Sequence, residues 1–427
     1  MTRKMKDSGV EWIGEIPVDW EMKKVKSFLR ERSEKDHANE EVLSLYRDYG
    51  VIPKNSRTDN HNVTSQDTSS YKFVKKDNVV INKMKAWQGS LAVSKYQGII
   101  SPAYYIYEIK NTEEIVPEFL HYVLRNPLYT QEYKRLSAGL RVGQWDLNKS
   151  EFNSLLYPIP SIKVQIKIVS YLNEKIELID KIVEDTKQSI EELKKYKRFL
   201  ITEAVTKGLD KNVDMKESGV EWIGKIPSNW KLCRLKNILI SSLQYGANES
   251  GIAYNPDYPR YIRITDIQNN NTLSESNKLS LEPETAEPYL LEEGDLLFAR
   301  SGATVGKTFL IEKENDNDAF AGYLIRARFS KQVVPKYVFY YTNSSIYDEW
   351  KESIAIQATI QNIGADKYAN LPITIPTIDD QKHIVEFLEG KIKKIDLLIN
   401  NKFGMISEYE KYKKSLICEY VTGKKEV

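Results

Sequence analysis

The chain has 427 residues, too many for one small domain at roughly 100 to 200 residues per domain and enough to bury more than one core. Lys and Arg number 62 against 60 Asp and Glu, so the formal charge of +2 selects no class of partner, and 29% charged with 41% hydrophobic residues is the balance of a soluble globular protein. Two cysteines far apart, Cys233 and Cys418, exclude a disulfide framework and a CxxC redox or zinc pattern and place the chain in a reducing compartment, the cytoplasm. No apolar run approaches the roughly 18 to 20 residues of a membrane helix, and Met1 to Asp7 leads into no apolar signal-peptide core.

The first recognisable element is the segment Met5 to Leu29. It recurs without gaps at Met215 to Leu239, with fourteen of 25 positions identical, so internal repetition organises the chain. The first insert, about Arg30 to Asn153, reads as mixed α/β, with strands at Asn78 to Asn82 and Tyr104 to Ile109 and a helix at Pro117 to Arg125. Asn126-Pro127-Leu128-Tyr129 reads as turn punctuation.

A helix then runs from Ser161, an N-cap following a proline, to Gly208. Its apolar residues step by threes and fours through Val169, Leu172, Ile176, Ile179, Val183, Thr186, Ile190, Leu193, Lys197, Leu200 and Ala204, a heptad seam. At 1.5 Å per residue it spans about 70 Å and needs a partner along that seam. The second insert, about Ile240 to Ala369, carries strands at Tyr261 to Thr265, Asp295 to Ala299 and Tyr323 to Phe329 and a helix at Pro335 to Thr342. A second helix follows, matched to the first at an offset of 216: Ile159-Pro160-Ser161-Ile162 with Ile375-Pro376-Thr377-Ile378, Gln165 with Gln381, Asp180 with Asp396, Lys197 with Lys413. Its seam runs Val385, Leu388, Ile392, Ile395, Ile399, Lys402, Ile406, Tyr409, Lys413, Leu416 and Tyr420, and Thr377 with Asp380 forms a capping-box start. An antiparallel pair of the two helices, related by a pseudo-twofold axis, is a rigid spacer between the inserts.

The fold class expected is therefore α/β (α+β): two mixed α/β domains separated by two long antiparallel coiled-coil helices. The boundaries fall at 1–158 and 210–374 for the domains and at 159–209 and 375–427 for the helices.

Frameworks that stay alike while two inserts diverge point to one task performed on two targets. The inserts hold basic and amide side chains of the kind that read base edges and position a protein on phosphates. Lys72, Lys75, Lys76, Lys83, Lys85 and Lys95 surround Trp87 and Gln88 in the first. Arg260, Arg263, Arg300, Lys307, Arg326 and Arg328 lie near the strands of the second, and polar loops recur at Gly139 to Asn148 and Ala355 to Asn362. Catalytic motifs are near misses. Gly302 to Thr308 has three residues between its glycines where a phosphate-binding loop needs four. Asn-Pro-Leu-Tyr and Asn-Pro-Asp-Tyr lack the second proline of the adenine-methyltransferase motif, and His37, His61, His121 and His383 are scattered. Two readings remain, a DNA-binding specificity protein or a noncatalytic protein-interaction scaffold, and a steep salt dependence of binding separates them.

Ser-Gly-Val-Glu-Trp-Ile-Gly-x-Ile-Pro-x-x-Trp, at Ser8 to Trp20 and again at Ser218 to Trp230, resembles the opening signature of type I restriction-modification specificity subunits. Gly294 to Gly302, the Ile-Pro helix starts and the Glu-x-Val-Thr helix ends extend the resemblance over essentially the whole chain. It implies two target recognition domains that each read one half of a bipartite DNA sequence, with the helices spanning the unread spacer. It also implies a noncatalytic chain that binds no cofactor itself. The partners implied are double-stranded DNA, two modification subunits using S-adenosylmethionine, and restriction subunits using ATP and magnesium, with no membrane. Arg300, Ser301 and Gly302 carry over from the matched motif. Chemistry alone selects Lys83, Lys85, Trp87, Arg141 and Gln144 in the first domain, and Arg263, Lys307, Gln357 and Gln361 in the second. Asn82-Lys83-Met84 occupies the position equivalent to Ala299-Arg300-Ser301.

Overall fold

A computed structural model of the chain describes residues 3–57, 67–141, 144–268, 271–315, 317–355 and 362–427. Contacts divide it into two units, one of residues 1–186 with 403–427 and one of residues 187–402.

In the first unit the apolar run Val79-Val80-Ile81 forms the middle of an antiparallel sheet. Its strands are β1 (Leu29–Arg32), β2 (Val79–Asn82), β3 (Leu91–Val93) and β4 (Tyr104–Ile109), in spatial order β1-β4-β2-β3. The run is continuous because both faces of β2 are covered. Val79 and Ile81 enter the core with α1 (Pro117–Leu124) and α2 (Pro127–Arg135), whereas Val80 faces a smaller cluster with Leu43, Ala92 and Ile106. A hairpin of β5 (Ser137–Arg141) and β6 (Gln144–Leu147) follows, and then the helix α3 (Ile162–Lys207).

The second unit repeats the plan with β7 (Gln244–Tyr245), β8 (Leu296–Ala299), β9 (Thr308–Leu310) and β10 (Leu324–Ala327), ordered β7-β10-β8-β9. Leu296 and Phe298 face the core that holds α4 (Pro335–Tyr341), and Leu297 and Ala299 face a second cluster. The helix α5 (Ser345–Ala355) precedes α6 (Ile378–Val421).

The duplicated framework welds each sheet to the start of its long helix. Glu21–Lys24 pairs with Leu156–Ile159, and Lys231–Arg234 pairs in the same register with Pro372–Ile375. One turn into each helix a fully buried glutamine closes the joint. Gln165 accepts from the Val116 N–H at 2.8 Å and donates to the carbonyls of Glu114 and Pro160. Gln381 makes the equivalent bonds to Val334, Gln332 and Pro376. Every seam position read from the heptad pattern is buried or half-buried. Within the first unit α3 and α6 run antiparallel, Tyr171 against Tyr420 and Asp180 against Lys413. Within the second, Lys197 of α3 meets Asp396 of α6.

Two local expectations are corrected. Asn126 does not merely punctuate a turn, because its side chain accepts from the Leu128 N–H and caps α2. The strand expected over Tyr261 to Thr265 stops at Ile262, because the Asp266 carboxylate takes both the N–H and the guanidinium of Arg263 and folds the chain into a turn. The cap expected at Thr377 is present, its hydroxyl accepting from the Asp380 N–H at 3.2 Å.

Candidate nucleic-acid interface

In both units the central strand ends in a connection of the same length, closed by two matching main-chain bonds and a matching glycine. Asn82 to Ser90 and Ala299 to Lys307 are nine residues each. The Asn82 N–H donates to the Ser90 carbonyl, and the Ala299 N–H to the Lys307 carbonyl, at 3.0 and 2.8 Å. Gln88 bonds back to Lys85 and Val305 to Gly302, closing one tight turn in each. Gly89 and Gly306 occupy matching left-handed positions, φ 85° and 81°. Lys83 therefore corresponds to Arg300, as the sequence alignment of the two segments expects.

A second segment of each insert returns to this point. The Leu147 N–H donates to the Lys83 carbonyl at 2.9 Å, and the Ile363 N–H to the Arg300 carbonyl at 2.8 Å. Leu147, near the end of the first polar stretch, and Ile363, the residue after the second, thus lie beside Lys83 and Arg300 respectively.

In the first unit Lys83 Nζ lies 3.6 Å from Asp146, a loose and partly exposed pair. Lys85 is exposed, and its side chain has no described partner. Trp87 is half-buried, donates Nε1 to the Met84 carbonyl and packs 5.0 Å from Trp145, a residue no sequence motif singles out. The backbones of Arg141 and Gln144 are the last register pair of the β5–β6 hairpin. Lys83, Lys85, Trp87 and this hairpin therefore form one neighbourhood.

In the second unit most of the basic cluster serves the fold. Arg260 binds Glu275 and the Ser274 carbonyl. Arg263 is locked on Asp266, which is buried. Arg326 donates to the Leu290 carbonyl, and Arg328 clasps the buried Asp295. Lys307 donates to the Ile267 carbonyl at 3.0 Å, and burial pushes its ammonium pKa down. Arg300 differs. Its guanidinium lies 4.8 Å from the centre of the Tyr245 ring, and its Nε is buried with no partner among the described residues. Ser301 bridges to Asn362, and Gly302, at φ 75°, has open space where a Cβ would stand. Gln357 and Gln361 lie outside the described residues.

The Gly302 to Thr308 segment joins two antiparallel strands, not a strand to a helix, so it has none of the amide cradle of a phosphate-binding loop. Among the described residues no cluster of three or more His, Cys, Asp or Glu side chains could hold a metal ion.

The family model for the type I restriction modification DNA specificity domain matches residues 17–192 and again residues 227–402. The chain belongs to this family. A type I restriction enzyme specificity subunit of Methanocaldococcus jannaschii, MjaVIII, is 25% identical over 428 residues, covering 96% of this chain and 93% of that protein. The EcoKI specificity subunit of Escherichia coli is 23% identical over 303 residues, 68% of this chain and 62% of that one. Two solved structures share the fold. One, reported for complex assembly and conformational transition of the type I R-M system, has a TM-score of 0.71 at 13% identity and covers 95% of this chain and 98% of its own. The HsdS subunit of Thermoanaerobacter tengcongensis has a TM-score of 0.53 at 14% identity, with coverage of 96% and 98%. A type I specificity subunit is the DNA-recognition component of its complex, with two recognition domains for a bipartite target, and catalysis rests with partner subunits. Among the described residues no helix is long and apolar enough to cross a membrane.

Proposed function

We propose that each recognition domain reads its half-site through the connection that follows its central strand, with Lys83, Lys85, Trp87, Arg141 and Gln144 in the first and Arg300, Ser301 and Gly302 with Gln357 and Gln361 in the second. The observation that carries this reading is a nine-residue connection, closed by the same two main-chain bonds and one matching glycine, that presents different side chains in the two units. A shared frame with divergent occupants is what two different half-sites require, because base edges are read by side chains on a rigid support. Arg263 and Lys307 serve it from behind. Lys307 holds the turn that Arg263 and Asp266 build, and that turn supports the frame.

The complex contains two modification subunits, which use S-adenosylmethionine to methylate adenine, and restriction subunits, which use ATP and magnesium, while this chain binds no cofactor and works in the cytoplasm. Sequencing of adenine methylation in cells that express the chain with its modification subunit tests the reading. A bipartite motif is expected, and Arg300→Ala relaxes one base of one half-site by about 1 to 3 kcal/mol. Exchange of residues 240–369 for another insert changes that half-site only. A motif unaltered by both changes overturns the proposal.

A further inference from the structure

We infer that Tyr245 is the positioning residue that aims Arg300 at the DNA in the second recognition domain, an inference that rests on the assignment of Arg300 as a base reader.

Four arginines near this sheet are fixed by hydrogen bonds to carboxylates or main-chain carbonyls, which consume the edge of the guanidinium. An arginine held that way has few N–H groups left for a base. Arg300 is held against an aromatic ring. The Tyr245 ring lies 4.8 Å from its Cζ, a cation–π attraction that takes up no N–H donor. The backbone of Arg300 is pinned on both sides, its N–H to the Tyr323 carbonyl and its carbonyl to the Ile363 N–H. Nε is buried and turned inward. The two terminal nitrogens form the fork that matches guanine O6 and N7.

Tyr245 is itself constrained. It sits on the edge strand β7, paired with Ile325 of β10, and its hydroxyl accepts from the Ala365 N–H at 2.9 Å. Ala365 lies just beyond Asn362 and Ile363, the residues that bridge to Ser301 and Arg300. One tyrosine thus ties the sheet edge, the reading arginine and the returning polar segment together. Lys83 in the first domain is paired instead with Asp146, so the device belongs to the second half-site alone.

The test uses the full chain with its modification subunits and compares Tyr245→Leu, Tyr245→Phe and Arg300→Ala by sequencing of adenine methylation and by competition binding with duplexes altered one base at a time. Leucine keeps apolar volume without the π face, and phenylalanine keeps the face without the hydroxyl. Tyr245→Leu is expected to lower discrimination at the base that Arg300→Ala relaxes, by about 2- to 30-fold, while the other half-site stays unchanged. Tyr245→Phe retains most of the discrimination, and the double variant Tyr245→Leu/Arg300→Ala is no worse than Arg300→Ala alone. If Arg300→Ala relaxes a base and Tyr245→Leu does not, the positioning role is wrong. A loss spread equally over both half-sites by Tyr245→Leu also overturns it, since that is a folding defect. If Arg300→Ala itself relaxes nothing, the base-reading assignment fails first.

Discussion

Lys413 reaches Asp180 across the helix seam, its Nζ 2.6 and 2.8 Å from the two carboxylate oxygens. The other copy of the repeat supplies the converse contact, Lys197 to Asp396 at 2.7 and 2.8 Å. Each helix gives one lysine and takes one, because Asp180 with Asp396 and Lys197 with Lys413 are matched positions of the sequence repeat. Both pairs are partly exposed, so each contributes about 0.5 kcal/mol. Their larger effect is on register, because a helix slipped by one turn would leave four charges without partners. Asp180→Lys is expected to lower the thermal midpoint of the chain. The exchange Asp180→Lys with Lys413→Asp recovers most of the loss, and a failure to recover would show that the pair does not set the register.

Gln165 and Gln381 carry more stability than any exposed ion pair. Gln381→Leu strands the Val334 N–H and removes the bonds to Gln332 and Pro376 in a buried site, at a cost of about 3 kcal/mol. Gln188→Leu, on the exposed face of α3 where the amide donates to Glu192, changes stability by less than about 0.5 kcal/mol. Calorimetric melts of the two variants check the contrast.

Gly423 and Gly302 both have φ near 75°, yet an added methyl meets different surroundings. A Cβ at Gly423 would stand 2.4 Å from Pro17 Cδ and 3.3 Å from the Trp20 ring, whereas at Gly302 it meets nothing within 4 Å. Gly423→Ala is therefore expected to disrupt packing around Trp20 and cost about 3 kcal/mol. Gly302→Ala costs about 1 kcal/mol of backbone strain. Its main consequence falls on recognition of the second half-site, read by methylation sequencing.

His121 is half-buried with Nδ1 accepting from the Val93 N–H, and desolvation pushes its pKa down from 6.5 to about 3. The folded chain keeps the ring neutral while the unfolded chain takes up a proton below pH 6.5. Stability that is present above pH 6.5 is lost as the pH falls toward 3. His121→Gln is expected to show a smaller drop in thermal midpoint between pH 7.5 and 5 than the parent chain. Equal drops would show that other groups carry the acid sensitivity.

The repeat, the heptad seams and the cap at Thr377 were legible because each follows from a period or a local rule. The seam even foreshadowed Lys197 and Lys413 as polar interruptions, although not their partners, since an ion pair between residues 233 apart has no local signature. The basic residues of the second insert were harder. Arg263, Arg326 and Arg328 look like Arg300 in sequence. Only the positions of Asp266, Leu290 and Asp295 reveal that three of them are spent within the fold. Tyr245 and Trp145 left no trace in the pattern at all, because a ring that packs on a residue distant in sequence has no required spacing from it.

The nine-residue connection at the tip of each central strand is held by main-chain bonds and by left-handed glycines, Gly89 in the first and Gly302 with Gly306 in the second. Among its outward side chains Trp87 bonds back to the connection at the Met84 carbonyl, whereas Lys83 pairs outside it with Asp146. Selection can therefore exchange side chains like Lys83 one at a time while the scaffold keeps its folding energy, and a drift in target preference need not pass through an unstable ancestor.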